Sequence, residues 1–320
     1  MKNNTMATTG LQSTKSVQKR RPWVADLIMD RWLYLMLVPG IVYFILFKYV
    51  PMVGIAMAFQ DYRPHLGFIN SPWVGFKHFE RLFADPQFMN LLKNTLILAV
   101  YDIVLYFPIP IILSLLLNEV RLQLFKRTIQ TLVYIPHFIS WVVVVAISYL
   151  FFTTEGGVVN DLIASMGMEK IPFLLSEEWF RPLFMFQAIW KDAGWGTIIF
   201  LAALAGVDPQ LYEASRIDGA NRWHQLWLIT LPAIRSTIVI LFILRLGNFL
   251  DVGFEHIFLM LNPMNREVGE VFETYIYRVG LTQAQFSYST AVGLFKSLIG
   301  LVLVLSANWA VRKTGEEGIW

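Results

Sequence analysis

The sequence predicts an all-α integral membrane protein with about six transmembrane helices. Of its 320 residues, 56% are hydrophobic and only 15% are charged, where a soluble domain carries about 25% charged residues. Mean hydropathy is +0.53. Apolar runs near the ~20-residue length that crosses a bilayer as a helix recur along the chain.

The first span is expected at 32–53, "WLYLMLVPGIVYFILFKYVPMV". A polar, basic segment with Lys15, Lys19, Arg20 and Arg21 precedes it, and no A-x-A-like site follows. The span therefore reads as a retained signal anchor. Further spans are expected at 91–117, 132–152, 183–204, 233–249 and 288–311. Pro39, Pro108 and Pro110 fall in or near spans, which is tolerated where neighbours satisfy the freed backbone groups.

Basic residues set orientation. Arg121, Lys126 and Arg127 lie in one connecting segment, Arg216, Arg222 and Arg235 in a second, and Arg312 and Lys313 at the end. The alternate loops are acidic, with Glu155, Asp161, Glu169, Glu177 and Glu178 in one and Glu255, Glu267, Glu270 and Glu273 in another. Both termini are thus expected in the cytoplasm. Arg63, Lys77 and Arg81 weaken this asymmetry without reversing it. The expected organisation is a cytoplasmic tail at 1–30, with a composition suggesting disorder over 1–20, a six-span domain at 31–311, and a cytoplasmic tail at 312–320.

Several functions are excluded. A net charge of +3 offers no footprint for nucleic acid, and with no cysteine there is no disulfide, thiolate metal site or cysteine nucleophile. His65, His78, His137, His224 and His256 are scattered without an H-E-x-x-H, and no G-x-S-x-G occurs. No catalytic residue, metal site or bound cofactor is expected.

The inner loop 208–232 is charged and Gly-broken between two apolar spans. Asp208-Pro209 suits a helix start, an acceptor at the N-cap followed by proline in the first turn. Gly219 suits the position after a helix end, where left-handed backbone favours glycine. A second helix is expected from about Ala220, with Trp223, Leu226 and Trp227 on one face and Leu231-Pro232 at its end. On periodicity alone this is an amphipathic elbow, equally readable as an ordinary loop lying under the membrane.

The segment "EASRIDGANRWHQLWLITLP" resembles the cytoplasmic signature of binding-protein-dependent ABC importer permeases. That signature runs E-A-A, then three residues ending in glycine, then a spacer to I-x-L-P. Glu213, Ala214, Asp218, Gly219, Ala220, Ile229, Leu231 and Pro232 match in place, and Ser215 stands for the third small residue. Ser236 stands where many sugar permeases have a second proline. "YVPMVGIAMAFQDY", "WVGFKHFERLFADPQF" and "NTLILAV" are similar to the first outer loop and second-span entry of carbohydrate permeases. "VYIPHFISWVVVVAISYLFFTTEGGVVNDLI", "GFEHIFLMLNP", "ETYIYRVGL" and "ANWAVRKTGEEGIW" resemble a subgroup importing oligosaccharides from complex polysaccharides.

The resemblance implies the type I importer permease fold, with loop 208–232 as the coupling helix seated on a cytoplasmic ATPase through Glu213, Ala214, Ser215, Asp218, Gly219, Ala220, Leu231 and Pro232. It implies a multi-pass protein of the bacterial plasma (inner) membrane. It also implies a second, homologous permease subunit, two copies of the ABC ATPase, an extracytoplasmic sugar-binding protein and alternating access. No G-x-x-x-x-G-K-S/T occurs in the chain, so ATP and Mg belong to the partner ATPase.

Ionisable residues inside spans usually face an interior or water. Asp102, Lys191, Asp192, Arg245 and Lys296, with Asp251 and Glu255 just beyond the fifth span, are candidates for the substrate pathway, where Lys or Arg would suit a carboxylated sugar. Internal salt bridges would explain the same residues. Trp190, Trp195 and Tyr277 are candidates for stacking on sugar rings, or equally for interfacial anchoring. The alternative class is an ion-coupled secondary transporter, which would need a coupling-ion site and usually an internal repeat.

Overall fold

The computed structural model describes residues 29–313. The tails expected at 1–30 and 312–320, and the disorder expected over 1–20, therefore lie almost wholly outside the described residues. Two compact units divide the chain, residues 1–54 and residues 55–320.

Among the described residues five helices are long and apolar enough to cross a membrane: Arg31–Phe59, Gln87–Glu119, Glu177–Ala205, Arg222–Gly247 and Phe286–Lys313. A sixth arises if the bent pair Gln123–Phe138 and Trp141–Phe152 counts as one span. The described residues are all-helical apart from an antiparallel bridge between Gln60 and Trp73.

The helices used below are α1 (Arg31–Phe44), α2 (Lys77–Ala84), α3 (Gln87–Tyr101), α4 (Pro108–Glu119), α5 (Gln123–Tyr134), α6 (Trp141–Phe152), α7 (Val158–Ser165), α8 (Glu177–Ala205), α9 (Pro209–Ile217), α10 (Arg222–Gln225), α11 (Leu231–Gly247), α12 (Phe254–Met260), α13 (Arg266–Gly269), α14 (Phe272–Tyr277) and α15 (Phe286–Lys313).

Three spans use the same device to pass a proline. A wide π-helical turn occupies Ile45–Tyr49 before Pro51, Asp102–Tyr106 before Pro108, and Leu226–Thr230 before Pro232. In each, the next N–H reaches back five residues: Val50 to Ile45, Phe107 to Asp102, and Leu231 to Leu226. The proline's missing N–H then falls where the ladder has already been re-phased. This corrects two expectations. Pro232 does not end the elbow's second helix; α10 runs through the wide turn into α11. The fifth span accordingly starts near residue 222 instead of 233.

The third span is not one straight helix. α5 tightens into a 3-10 turn at Ile135–Phe138, which holds Pro136, and α6 leaves at 101°. Ser140 caps α6, its hydroxyl accepting from the Val143 N–H at 3.4 Å. A proline followed by a cap is a stop signal and a start signal within five residues. The apolar run masks both.

In the first unit α1 carries no buried residue. The larger unit has two packed clusters. One gathers Leu98, Val145, Phe180, Phe184, Ile257 and Val271 from α3, α6, α8, α12 and the start of α14. The other joins Leu82, Leu91, Phe272, Tyr275, Tyr288 and Val292. Beside the second, Asp85 ties α2 to α14 and α15: its Oδ2 accepts from the hydroxyls of Tyr275 at 2.6 Å and Tyr288 at 3.0 Å.

Candidate functional sites: an exposed elbow and a charged cavity

The elbow is built by local hydrogen bonds. Asp208 caps α9, Oδ1 accepting from the Gln210 N–H at 2.9 Å. At the other end Ala220 N–H bonds to Ser215 O at 2.9 Å and Gly219 N–H to Arg216 O at 3.1 Å. This paired closure requires a left-handed residue, and Gly219 has φ +80°. Asn221 then caps α10, Oδ1 accepting from the His224 N–H at 2.9 Å.

Side chains brace the two arms. Gln225 Nε2 donates to Ser215 Oγ at 2.9 Å, and the hydroxyls of Tyr212 and Thr230 are 3.0 Å apart. Ser215 is thus more than a small residue, because its hydroxyl receives a bond that alanine could not. Arg222 reaches Glu119 at 3.2 Å. Glu213, Ala214, Asp218 and Gly219 remain exposed on the outer surface of the elbow. Beside them lies an open cavity of about 610 Å³ lined by Arg121, Tyr212, Glu213, Arg216 and Arg222. Leu231 and Pro232 belong to α11 and do not line this cavity.

Deeper in the larger unit is a cavity of about 220 Å³. Asp102, Tyr106, Trp141, Asp192, Arg245, Asp251 and His256 line it. Arg245, near the end of α11, forks onto both carboxylate oxygens of Asp102, with Nε at 2.5 Å from Oδ2. Its guanidinium carbon also lies 4.8 Å from the Tyr106 ring centre. Opposite, the His256 ring is sandwiched between Trp141 at 3.8 Å and Phe184 at 4.2 Å. A directed chain fixes its tautomer. Ser148 donates to Val144 O at 3.1 Å, so it accepts from Gln187 Nε2 at 2.7 Å; Gln187 Oε1 then accepts from His256 Nε2–H at 2.6 Å.

The structure brings Asp102, Asp192, Arg245 and Asp251 to one cavity and leaves the other pathway candidates outside its lining. Lys191 is buried and donates to the His137 carbonyl at 2.7 Å. Asp192 accepts from His137 Nδ1 at 2.8 Å, and Trp195 stacks on that ring at 4.5 Å. Lys191 and Trp195, with Asp192, therefore brace the bend between α5 and α6. Lys296 bonds to Asp251 and, at 2.7 Å, to Glu273, and borders a separate cavity with Gly300 and Val304. Trp190 lies on an apolar groove with Ile147, Phe151 and Phe186. Tyr277 packs on Phe254 and Phe258, and Glu255 is exposed outside the cavity lining.

Sequence reasoning missed Tyr106, Trp141 and His256 as cavity residues. Only the neighbouring Asp102 and Glu255 gave a signal near two of them.

The family model described as "Binding-protein-dependent transport system inner membrane component" matches residues 106–316. The polygalacturonan/rhamnogalacturonan transport system permease protein YteP of Bacillus subtilis (strain 168) is 59% identical over 95% of this chain and 94% of its own. The arabinooligosaccharides transport system permease protein AraP of the same organism is 29% identical over 85% and 86%. Among solved structures, a chain of a bacterial alginate ABC transporter, in complex with its alginate pentasaccharide-bound periplasmic protein, superposes with a TM-score of 0.86. It is 42% identical over 92% of this chain and 99% of that one.

Proposed function

The chain belongs to the binding-protein-dependent transport system inner membrane component family, as a permease subunit of an ATP-driven oligosaccharide importer, and we propose that its cargo is an acidic oligosaccharide from a uronic polysaccharide. The support is chemical as well as comparative. Relatives named for polygalacturonan/rhamnogalacturonan and for the acidic polysaccharide alginate share most of this chain, and the cavity wall carries an arginine fork facing polar side chains.

In this reading both termini are cytoplasmic and the protein is multi-pass in the bacterial plasma membrane. A second, homologous permease completes the pathway. Two ABC ATPase copies supply ATP and Mg chemistry, and an extracytoplasmic sugar-binding protein delivers cargo. The elbow 208–232 is the coupling contact, with Glu213, Ala214, Ser215, Asp218, Gly219 and Ala220 on or behind the docking surface and Leu231-Pro232 leading into the span. Asp102, Arg245 and Asp251 border the cargo's route. ATP binding shifts the population from an inward-open to an outward-open state.

The observation that carries the coupling assignment is the braced elbow with Glu213 exposed beside a polar cavity. A docking surface must be accessible before the partner arrives yet rigid enough to transmit a push. Affinity purification from membranes tests it. The wild type should bring down a second permease and an ATPase, and Glu213→Lys should lose the ATPase while keeping the permease. Wild-type material that co-purifies neither in gentle detergent, with uptake abolished by an uncoupler in ATP-loaded vesicles, would instead favour ion-coupled transport.

A further inference from the structure

We propose that Asp102 is a resident stand-in for a cargo carboxylate. Arg245 exchanges it for the carboxylate of a uronic sugar, so the pair sorts acidic from neutral cargo. The proposal rests on the acidic-oligosaccharide reading above and adds to it the residue that reads the charge and the residue that competes for it.

Four observations carry it. First, Arg245 is the one Lys or Arg among the residues lining the 220 Å³ cavity. Second, the pair sits on the cavity wall: the Arg245 side chain is 42% exposed and that of Asp102 is 27% exposed. Lys191 and Lys296 are far more enclosed, at 8% and 13%, and each is held by other groups. Third, Asp102 occupies both prongs of the guanidinium. A uronate carboxylate is the same functional group, and the planar fork of arginine matches either one. Fourth, Asp102 opens the wide turn Asp102–Tyr106, where the helical ladder is already re-phased. Such turns are adjustable places in a helix and are often functional.

The charges decide the selectivity. Asp251 is paired with Lys296 and Asp192 lies 3.7 Å from Lys191, so the lining carboxylates are balanced and Arg245 is the cation a cargo carboxylate meets from within the cavity. The exchange is like for like: one carboxylate leaves the fork as another enters. A neutral sugar brings no carboxylate and leaves the pair closed. The Tyr106 ring keeps contact with the guanidinium and limits how far it swings.

The test uses the complete transporter in proteoliposomes, held with a non-hydrolysable ATP analogue and titrated with radiolabelled trigalacturonate. The concentration that half-fills the complex is read for wild type, R245Q, R245K and D102N, after co-elution with the ATPase has verified assembly. R245Q should raise that concentration about tenfold or more, as expected for loss of a charge-assisted pair. R245K, which keeps the charge but loses the fork, should fall between. D102N should lower it several-fold, because the internal competitor is gone. A merely structural pair predicts that D102N and R245Q weaken binding alike; shifts in the same direction, or none, overturn the proposal. A wild-type complex that retains neutral trisaccharide but no trigalacturonate would overturn the acidic-cargo reading itself.

Discussion

At Gly194 α8 passes hard against the end of α5, and adding one methyl group there should damage the protein measurably. A Cβ at this position would sit 2.1 Å from the Val133 carbonyl oxygen and 2.8 Å from Val133 Cγ1. Carbon–oxygen contacts settle at about 3.3–3.6 Å, so the backbone must retreat by roughly 1.2 Å. Rotating the valine does not help, because the obstructing atom belongs to the main chain. Overpacking of this kind costs about 1–3 kcal/mol, or a fall of roughly 5 °C in melting temperature for a chain of this size. Function should suffer too. Lys191 and Asp192 lie within one turn of Gly194 and brace the bend at residues 135–141, so a displaced α8 carries them off their partners. Gly300→Ala is the control. It has the same chemistry in α15, with nothing within 4 Å of the added methyl, and should be neutral or stabilise by about 0.5–1 kcal/mol. The assay is size-exclusion after graded heating, paired with ATP-dependent uptake in proteoliposomes. If Gly194→Ala melts and transports like the wild type, the close crossing is not a constraint and the reasoning fails.

Two further outcomes follow from the polar interior and the loop network. Gln187→Leu leaves the buried His256 Nε2–H without its acceptor, while Ser148 keeps its bond to Val144 O. The expected loss is about 1–3 kcal/mol, read in the same melting assay, and an unchanged melt would mean that the Ser148–Gln187–His256 chain is not in place. At Asp85, burial alone would raise the carboxyl. Hydrogen bonds from Tyr275, the Gln87 N–H and Tyr288, with the charge of Arg81, outweigh it and hold the group below its usual value. A depressed carboxyl contributes stability above its unfolded value, near 3.8, and loses it as pH falls through the folded value. Amide protection in α2 and α14, taken relative to the intrinsic exchange rate at each pH, should therefore hold from neutral pH to about pH 4 and fall below. Asp85→Asn should lower it at neutral pH and flatten the acid dependence; an acid response retained by Asp85→Asn would assign it to another group.

What could be read from the sequence was whatever local chemistry decides. The caps at Asp208 and the left-handed Gly219 are set by short-range backbone needs, and composition set the membrane class. The bend in the third span was less legible, since Val142–Ala146 is so apolar that the Pro136 and Ser140 signals sank into a continuous hydrophobic run. Pro232 misled for a related reason. Proline stops a regular helix, but the wide turn at Leu226–Thr230 has no composition of its own and absorbs the break. The pathway charges were found as charges but not as pairs. Which carboxylate meets Arg245 depends on packing across 143 positions of chain, and no periodicity reports that. His256 was hidden for the same reason: its aromatic sandwich comes from α6 and α8, neither adjacent in sequence to α12.

The continuity of Arg222–Gly247 has a mechanical consequence. This one helical stretch begins in the elbow, where Gln225 is bonded to Ser215 of α9, and ends beside Arg245. At about 1.5 Å per residue its two functional ends lie roughly 35 Å apart. A partner that moves the elbow thus moves the near end of the element whose far end holds the cavity's arginine. Asp102 sits on a different span, at its own wide turn, so relative motion of the two spans acts directly on the Arg245–Asp102 fork. If the elbow is the proposed ATPase contact, the pair that this motion acts on is also the pair proposed to meet a carboxylated sugar. Under those two proposals, cargo delivery and the push from the ATPase would act on the same salt bridge, one by substitution and the other by displacement.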